Sequence, residues 1–150
     1  MSVPGLSQKD PGRRPRKTAR LPVIPCGVAI IRRGRQILIS QRRPDDTLGL
    51  YWEFPGGKKM SGESFEECAR REAEEELGVQ VAVRRLFMDV KKRYDTKIVW
   101  LNFFLCDYLG GEPRPLECER VLWSDVTELP NFQFPPANKR VIESLLREYA

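Results

Sequence analysis

Residues Val23–Ile31 (VIPCGVAII) form an almost unbroken apolar run, and Gln36–Gln41 (QILISQ) sets apolar positions against polar ends. With Arg32-Arg33-Gly34-Arg35 between them, the pattern predicts two strands joined as a hairpin. Arg43–Leu50 (RPDDTLGL) has no period and reads as a loop. Tyr51–Phe54 (YWEF) reads as a short strand running into a turn at Pro55-Gly56-Gly57. Further strands are predicted over Val81–Val90, Lys97–Tyr108 (KIVWLNFFLCDY) and Val121–Trp123, with a turn at Gly110-Gly111-Glu112-Pro113. Two segments change period. Phe65–Leu77 has no Pro or Gly and is rich in Ala, Glu and Arg, which predicts a helix. Ser64 suits its N-cap and Gly78 its C-terminal stop. Ala137–Tyr149 follows Phe134-Pro135-Pro136 and places Ile142, Leu145 and Leu146 on one face of a second helix. The order β-β-β-α-β-β-β-α predicts an α+β fold, a mixed β-sheet between helices in an α/β/α sandwich.

The first helix carries the candidate chemistry. At about 100° per residue, Glu72, Glu75 and Glu76 fall within an arc of roughly 100°, shared or bordered by Phe65, Cys68 and Ala69. Glu67, Arg70, Arg71 and Glu74 are expected on the other side. Glu66–Arg70 and Glu67–Arg71 read as solvated i,i+4 pairs. Three carboxylates beside apolar residues repel one another and resist burial unless something positive neutralises them. A hard divalent cation with oxygen ligands does so, and Mg²⁺ is commonly held by carboxylates together with substrate phosphates. Gly56-Gly57, just ahead of this helix, lets the backbone turn sharply and approach a ligand closely.

At 150 residues, 41% hydrophobic and 31% charged, the chain fits one globular domain. No apolar run approaches membrane-span length, so no membrane association is expected. The net charge of +5 belongs to the start of the chain, where Lys9, Arg13, Arg14, Arg16, Lys17 and Arg20 face Asp10 alone. Residues 1–20 are expected to be a disordered basic tail, and residues 21–150, where the charges balance, the folded domain. The tail has no apolar core and is no secretory signal. It reads as a solubilising extension or as a weak tether for nucleic acid or phosphate. The four cysteines, Cys26, Cys68, Cys106 and Cys118, include no C-x-x-C pair, and the chain contains no His. A zinc site is thereby disfavoured, and His-dependent nucleophilic catalysis is excluded. Reduced cysteines packed as small apolar side chains, and a cytoplasmic location, are the expectation.

Residues Gly57–Val79 (GKKMSGESFEECARREAEEELGV) fill every fixed position of the pattern GX5EX7REUXEEXGU, with U an aliphatic residue. In this the chain resembles the Nudix hydrolases. The resemblance implies attack of water on a nucleoside diphosphate linked to a further group, with Mg²⁺ (Mn²⁺ as the alternative) spanning the phosphates. It implies Glu72, Glu75 and Glu76 as metal ligands, joined by a backbone carbonyl at the Gly56 position. Glu72 has a further part in positioning or deprotonating the water, and Arg71 orients a carboxylate of the set. Glu63 is either an outer ligand or a charge favoured by the helix N-terminus.

Outside that pattern, Trp52-Glu53-Phe54-Pro55-Gly56-Gly57-Lys58 and Phe134-Pro135-Pro136-Ala137-Asn138 resemble the MutT subgroup, whose bacterial members hydrolyse 8-oxo-dGTP. The register runs without a gap from Arg42 to Asn138. The resemblance implies that Asn138 reads the base, that the backbone of Phe54 lies against it, that Arg42 contacts phosphate and that Glu117 is a further acidic residue near the metals. An Asn amide offers a donor and an acceptor, which suits a purine edge, and Phe54 and Tyr94 offer aromatic surface. Helix capping by Asn138 and a plain surface charge at Arg42 are the alternatives. Lys97 stands where the subgroup has an Arg near the base, and Lys cannot make the planar two-pronged contact.

The expected activity is Mg-dependent hydrolysis of 8-oxo-dGTP, or of a related oxidised purine nucleotide, to the monophosphate and pyrophosphate, in the sanitation of the nucleotide pool. The partner is then a small nucleotide, with no stable nucleic-acid partner and a monomeric protein. One alternative is a pyrophosphohydrolase of RNA 5′ ends or of another nucleoside triphosphate. The other is a nucleotide-binding domain without catalysis.

Overall fold

In a computed structural model, residues 20–150 of the chain are described. The expected basic tail, apart from Arg20, lies outside the described residues. Seven strands are present: β1 (Val23–Arg33), β2 (Gln36–Gln41), β3 (Trp52–Glu53), β4 (Gly56–Lys58), β5 (Gln80–Arg93), β6 (Ile98–Gly110) and β7 (Arg120–Asp125). The helices are α1 (Phe65–Leu77) and α2 (Lys139–Tyr149), with 3₁₀ turns at Val126–Asn131 and Pro136–Asn138.

One mixed sheet carries the fold, with β1 and β6 parallel at its centre and every other pair antiparallel. Its two faces follow the alternation in the strands. Ile37 and Ile39 face a core shared with Val141, Ile142 and Leu145 of α2. Leu38, between them, faces Ala69, Ala73 and Leu77 of α1. The α/β/α sandwich is therefore present, and α1 and α2 cover opposite faces.

The feature that creates the site is a split in this sheet. β1 and β2 pair only over Ile31–Arg33 and Gln36–Leu38. Beyond that point they part, and the segment β3–β4 fills the opening. Trp52 and Glu53 pair with Gln41 and Ser40 of β2, while Gly56–Lys58 pairs with Cys26–Val28 of β1. The Ala29 N–H also donates to the Pro55 carbonyl at 2.8 Å. Gly56-Gly57 is thus a strand and not the expected turn, because the parted edge of β1 offers its unpaired backbone groups a ladder.

The boundaries of α1 match the sequence. Ser64 caps it through a reciprocal box: Ser64 Oγ accepts from Glu67 N at 3.0 Å, and Glu67 Oε1 accepts from Ser64 N at 2.8 Å. Gly78 ends the helix in the left-handed region at φ 72°, where Gly carries no Cβ penalty. The cap removes Glu67 from the expected pairing with Arg71, and the expected Glu66–Arg70 pair is not formed. The second helix starts later than expected, since Pro136–Asn138 forms a 3₁₀ turn before it. All four cysteines are buried free thiols, and burial pushes the Cys106 thiol up to about 12.

Candidate active site

The acidic side of the site is organised by Arg71. Its Nε and Nη2 donate to the two carboxylate oxygens of Glu63 at 2.6 and 3.0 Å. Its Nη1 donates to Glu72 at 3.0 Å and Glu75 at 3.1 Å, and Nη2 reaches the Lys58 carbonyl at 3.1 Å. One guanidinium therefore ties β4 and the loop after it to α1, using the fixed fork that Lys lacks. Angular projection sets Arg71 away from Glu72 and Glu75, while the resemblance implies that it orients a carboxylate of the set, as it does. Its long side chain folds back over both, which an angular projection of Cα positions does not capture. Glu63 also accepts from the Met60 N–H at 2.9 Å. The Arg71 hydrogen bonds, with that N–H, hold its carboxyl down at about 2.

Glu76 behaves oppositely. Burial is the main cause that pushes its carboxyl well above the usual range, followed by its closeness to Glu72 and by the charges of Glu53 and Glu117. Four carboxyl groups, Glu53, Glu72, Glu76 and Glu117, thus crowd one region, with Glu117 in the exposed loop before β7. Glu75 is half exposed and held by Arg71. Gly57 lies against this cluster so closely that a Cβ there would stand 2.5 Å from Glu72 Oε2.

Glu53 is the site residue that the sequence reading missed. Burial raises its carboxyl, and the ion pair with Arg42 at 2.9 Å opposes that rise. The signal was the alternation in WEF: Trp52 and Phe54 are buried on one face, so Glu53 must point to the other, where α1 lies.

This donor set fits a hard cation: it is made of oxygens, it is crowded, and its own charges penalise ionisation. Ser40, opposite Glu53 in register, adds a buried hydroxyl without a protein partner. Among the described residues, no three acidic or thiol side chains converge closely enough to enclose an ion. Arg71 holds Glu72 and Glu75 in this arrangement.

Beside the acidic cluster opens a cavity of about 290 Å³ on the α2 face of the sheet. Val28, Leu101 and Phe103 give it an apolar floor, and Phe54 and Asn138 line it. Asn138 is buried and makes no side-chain cap to α2, so the capping alternative is not realised. Arg42 lines the same cavity and is no loose surface charge: its Nε donates to the Thr47 carbonyl at 2.6 Å and its Nη1 to Glu53. The adjoining loop holds Leu48 at φ 54° and Leu50 at φ 67°, a strained conformation for branched residues. Leu48 lines the cavity. Lys97, at the position of the subgroup's Arg, does not line it; Lys92 and Tyr94 do.

The structure therefore gathers Arg42, Phe54, Gly56 and Asn138 around one cavity, and sets Glu72, Glu75, Glu76 and Glu117 just outside it. Glu53 and Gly57 belong to both groups. Each lines the cavity, Glu53 acts on Glu76 and Gly57 packs on Glu72.

Comparisons with known proteins show the family and the fold. The family model described as NUDIX domain matches residues 27–144. The chain is 37% identical over 113 residues to the 8-oxo-dGTP diphosphatase of Haemophilus influenzae, covering 75% of this chain and 83% of that protein. It is 36% identical over 110 residues to the NAD-capped RNA hydrolase NudC of Photobacterium profundum, covering 72% of this chain and 40% of that protein. A solved structure of MutT, from work on the enzymes of Aliivibrio salmonicida and Vibrio cholerae, superposes with a TM-score of 0.69 at 30% identity. The match covers 83% of this chain and 96% of that one.

Proposed function

Because the chain belongs to the Nudix family, whose hydrolases use a divalent metal to cleave pyrophosphate bonds, we propose that it converts 8-oxo-dGTP, or a related oxidised purine nucleotide, to the monophosphate and pyrophosphate. The observation that carries this reading is the shared boundary at Glu53 and Gly57. A base in the apolar cavity would direct its phosphates across that boundary toward the acidic cluster. The diphosphatase relative at 37% identity supports the same substrate class.

Glu72, Glu75 and Glu76 would hold Mg²⁺, with the Gly56 carbonyl and Glu117 completing the oxygen set. The metal supplies charge neutralisation at the phosphates and a more acidic water. The protein's own part is positional. Arg71 fixes Glu72 and Glu75 on their side of the helix. Glu72, crowded against Gly57, orients the attacking water and takes its proton. Arg42, steadied by Glu53 and the Thr47 carbonyl, meets a phosphate. Asn138, buried at the start of α2, offers donor and acceptor to the purine edge while the Phe54 backbone flanks it. Residues 21–150 form the catalytic domain in this reading, acting as a cytoplasmic monomer. Residues 1–20 are an accessory basic tail.

The test is kcat/KM for 8-oxo-dGTP and dGTP side by side with Mg²⁺, scored by pyrophosphate release. The proposal expects a preference above about a hundredfold, in the range a hydrogen-bonding pocket can reach. Comparable slow rates on both would overturn it. They would turn attention to capped or triphosphorylated RNA 5′ ends, toward which the NudC relative points.

A further inference from the structure

The cavity wall formed by the β5–β6 hairpin carries a cation that no motif accounts for. On β5 the side chains alternate between faces. Val90 packs on the α2-side core and Lys92 lines the cavity on that face. Lys91, between them, lies over the Trp100 ring, which itself packs on Phe65 of α1 on the opposite face. At the hairpin end, the Tyr94 N–H donates to the Lys97 carbonyl at 2.8 Å, and the ring lies 6.0 Å from Lys92 Nζ. Lys92 and Tyr94 therefore enter the cavity from the hairpin, while Asn138 enters it from the 3₁₀ turn before α2.

On that wall Lys92 offers donors only. An ammonium has three donors and no acceptor. Among the described lining residues the other cation is Arg42, which Glu53 and Thr47 hold at the acidic end. We propose that Lys92 is a specificity-determining residue of this chain that accepts a purine keto oxygen as partner and disfavours an amino group at the same place. This rests on the nucleotide reading above and deepens it. A keto oxygen accepts a charge-assisted hydrogen bond from the ammonium, whereas an amino group presents donor to donor. Tyr94, half exposed beside Lys92, supplies an aromatic surface to the base ring.

The experiment compares wild type with Lys92→Met, Lys92→Arg and Lys91→Met on 8-oxo-dGTP, dGTP and 8-oxo-dATP. Lys92 is exposed on the cavity wall, so an effect of about tenfold is expected. Lys92→Met should lower the 8-oxo-dGTP to 8-oxo-dATP ratio of kcat/KM if the 6-keto oxygen is read. It should lower the 8-oxo-dGTP to dGTP ratio if the 8-keto oxygen is read. The change should fall on KM, with Lys92→Arg keeping most of the preference and Lys91→Met all of it. Both ratios unchanged in Lys92→Met, with the thermal midpoint intact, would overturn the assignment. Binding of the same nucleotides to Glu72→Gln protein and to its Lys92→Met double variant, measured by calorimetry, gives the same ratios without turnover. Failure of the hydrolysis reading is thereby separated from failure of the Lys92 assignment.

Discussion

The two halves of the site are built in contrasting ways. The acidic half is mostly one helix and the turn before it: Glu63, Arg71, Glu72, Glu75 and Glu76 lie within a short stretch of chain, and a single guanidinium touches four of its carbonyl and carboxylate groups. The cavity half draws its residues from several distant elements, Arg42 and Leu48 from a loop, Phe54 from the β3–β4 segment that wedges β1 and β2 apart, Lys92 from a hairpin and Asn138 from the turn before α2. Charge organises the first and shape the second. In the proposed function the acidic half would serve any pyrophosphate, while the cavity half would decide which nucleoside is brought to it.

Substitutions on either side should fail in different currencies of kinetics. The largest effect is expected for Glu72→Gln, which keeps an oxygen for Arg71 but removes a charge from the cluster. Its kcat should fall about 10³-fold on every nucleotide, with the thermal midpoint preserved. A loss confined to the oxidised substrate would break the division. Asn138→Ala should do the reverse, lowering the 8-oxo-dGTP to dGTP preference by roughly 10- to 100-fold while the rate on dGTP stays within a few-fold. A uniform loss on both substrates would show that Asn138 positions phosphates as well. The smallest effect concerns the Arg71 clamp. Glu63 titrates at about 2 in the folded protein against an ordinary 4.5. Its pairing therefore adds stability above pH about 4.5 and loses it as pH falls toward about 2. The difference in Tm between wild type and Glu63→Gln should be full at neutral pH and close over that interval. A pH-independent gap would mean that packing, and not the ion pair, is what the substitution removes.

The acidic half was legible because its information is local. Helix capping at Ser64, the stop at Gly78 and the spacing of Glu72, Glu75 and Glu76 all act within a few turns of chain. Six of the seven strands and both helices were legible from their periods. What escaped was non-local. Glu53 gains its character only when β3 enters the gap between β1 and β2 and faces α1. Gly56–Lys58 looks like a turn until the free edge of β1 is known to lie beside it. Lys92 and Lys97 cannot be ranked from sequence, since strand phase and the register of the hairpin decide which one reaches the cavity. Arg71 shows a different limit: projection placed its Cα correctly, but the reach of its side chain determined its partners.

The parallel pairing of β1 with β6 has a consequence for biogenesis. β1 leaves the ribosome well before β6, and its longest ladder is completed only by that strand, which emerges after β2, β3, β4, α1 and β5. Until then, one edge of the apolar β1 stays bare and the wedge that carries Glu53 and Gly57 lacks a rigid frame. Such long-range closure slows folding and leaves the nascent chain exposed to misassociation. It also makes a half-built enzyme inert: Gly56 and Gly57 on one side of β1, and Leu101 and Phe103 on the other, reach their places in the same closing event. Recovery of turnover during refolding should therefore track consolidation of the whole sheet, with no early catalytically competent phase.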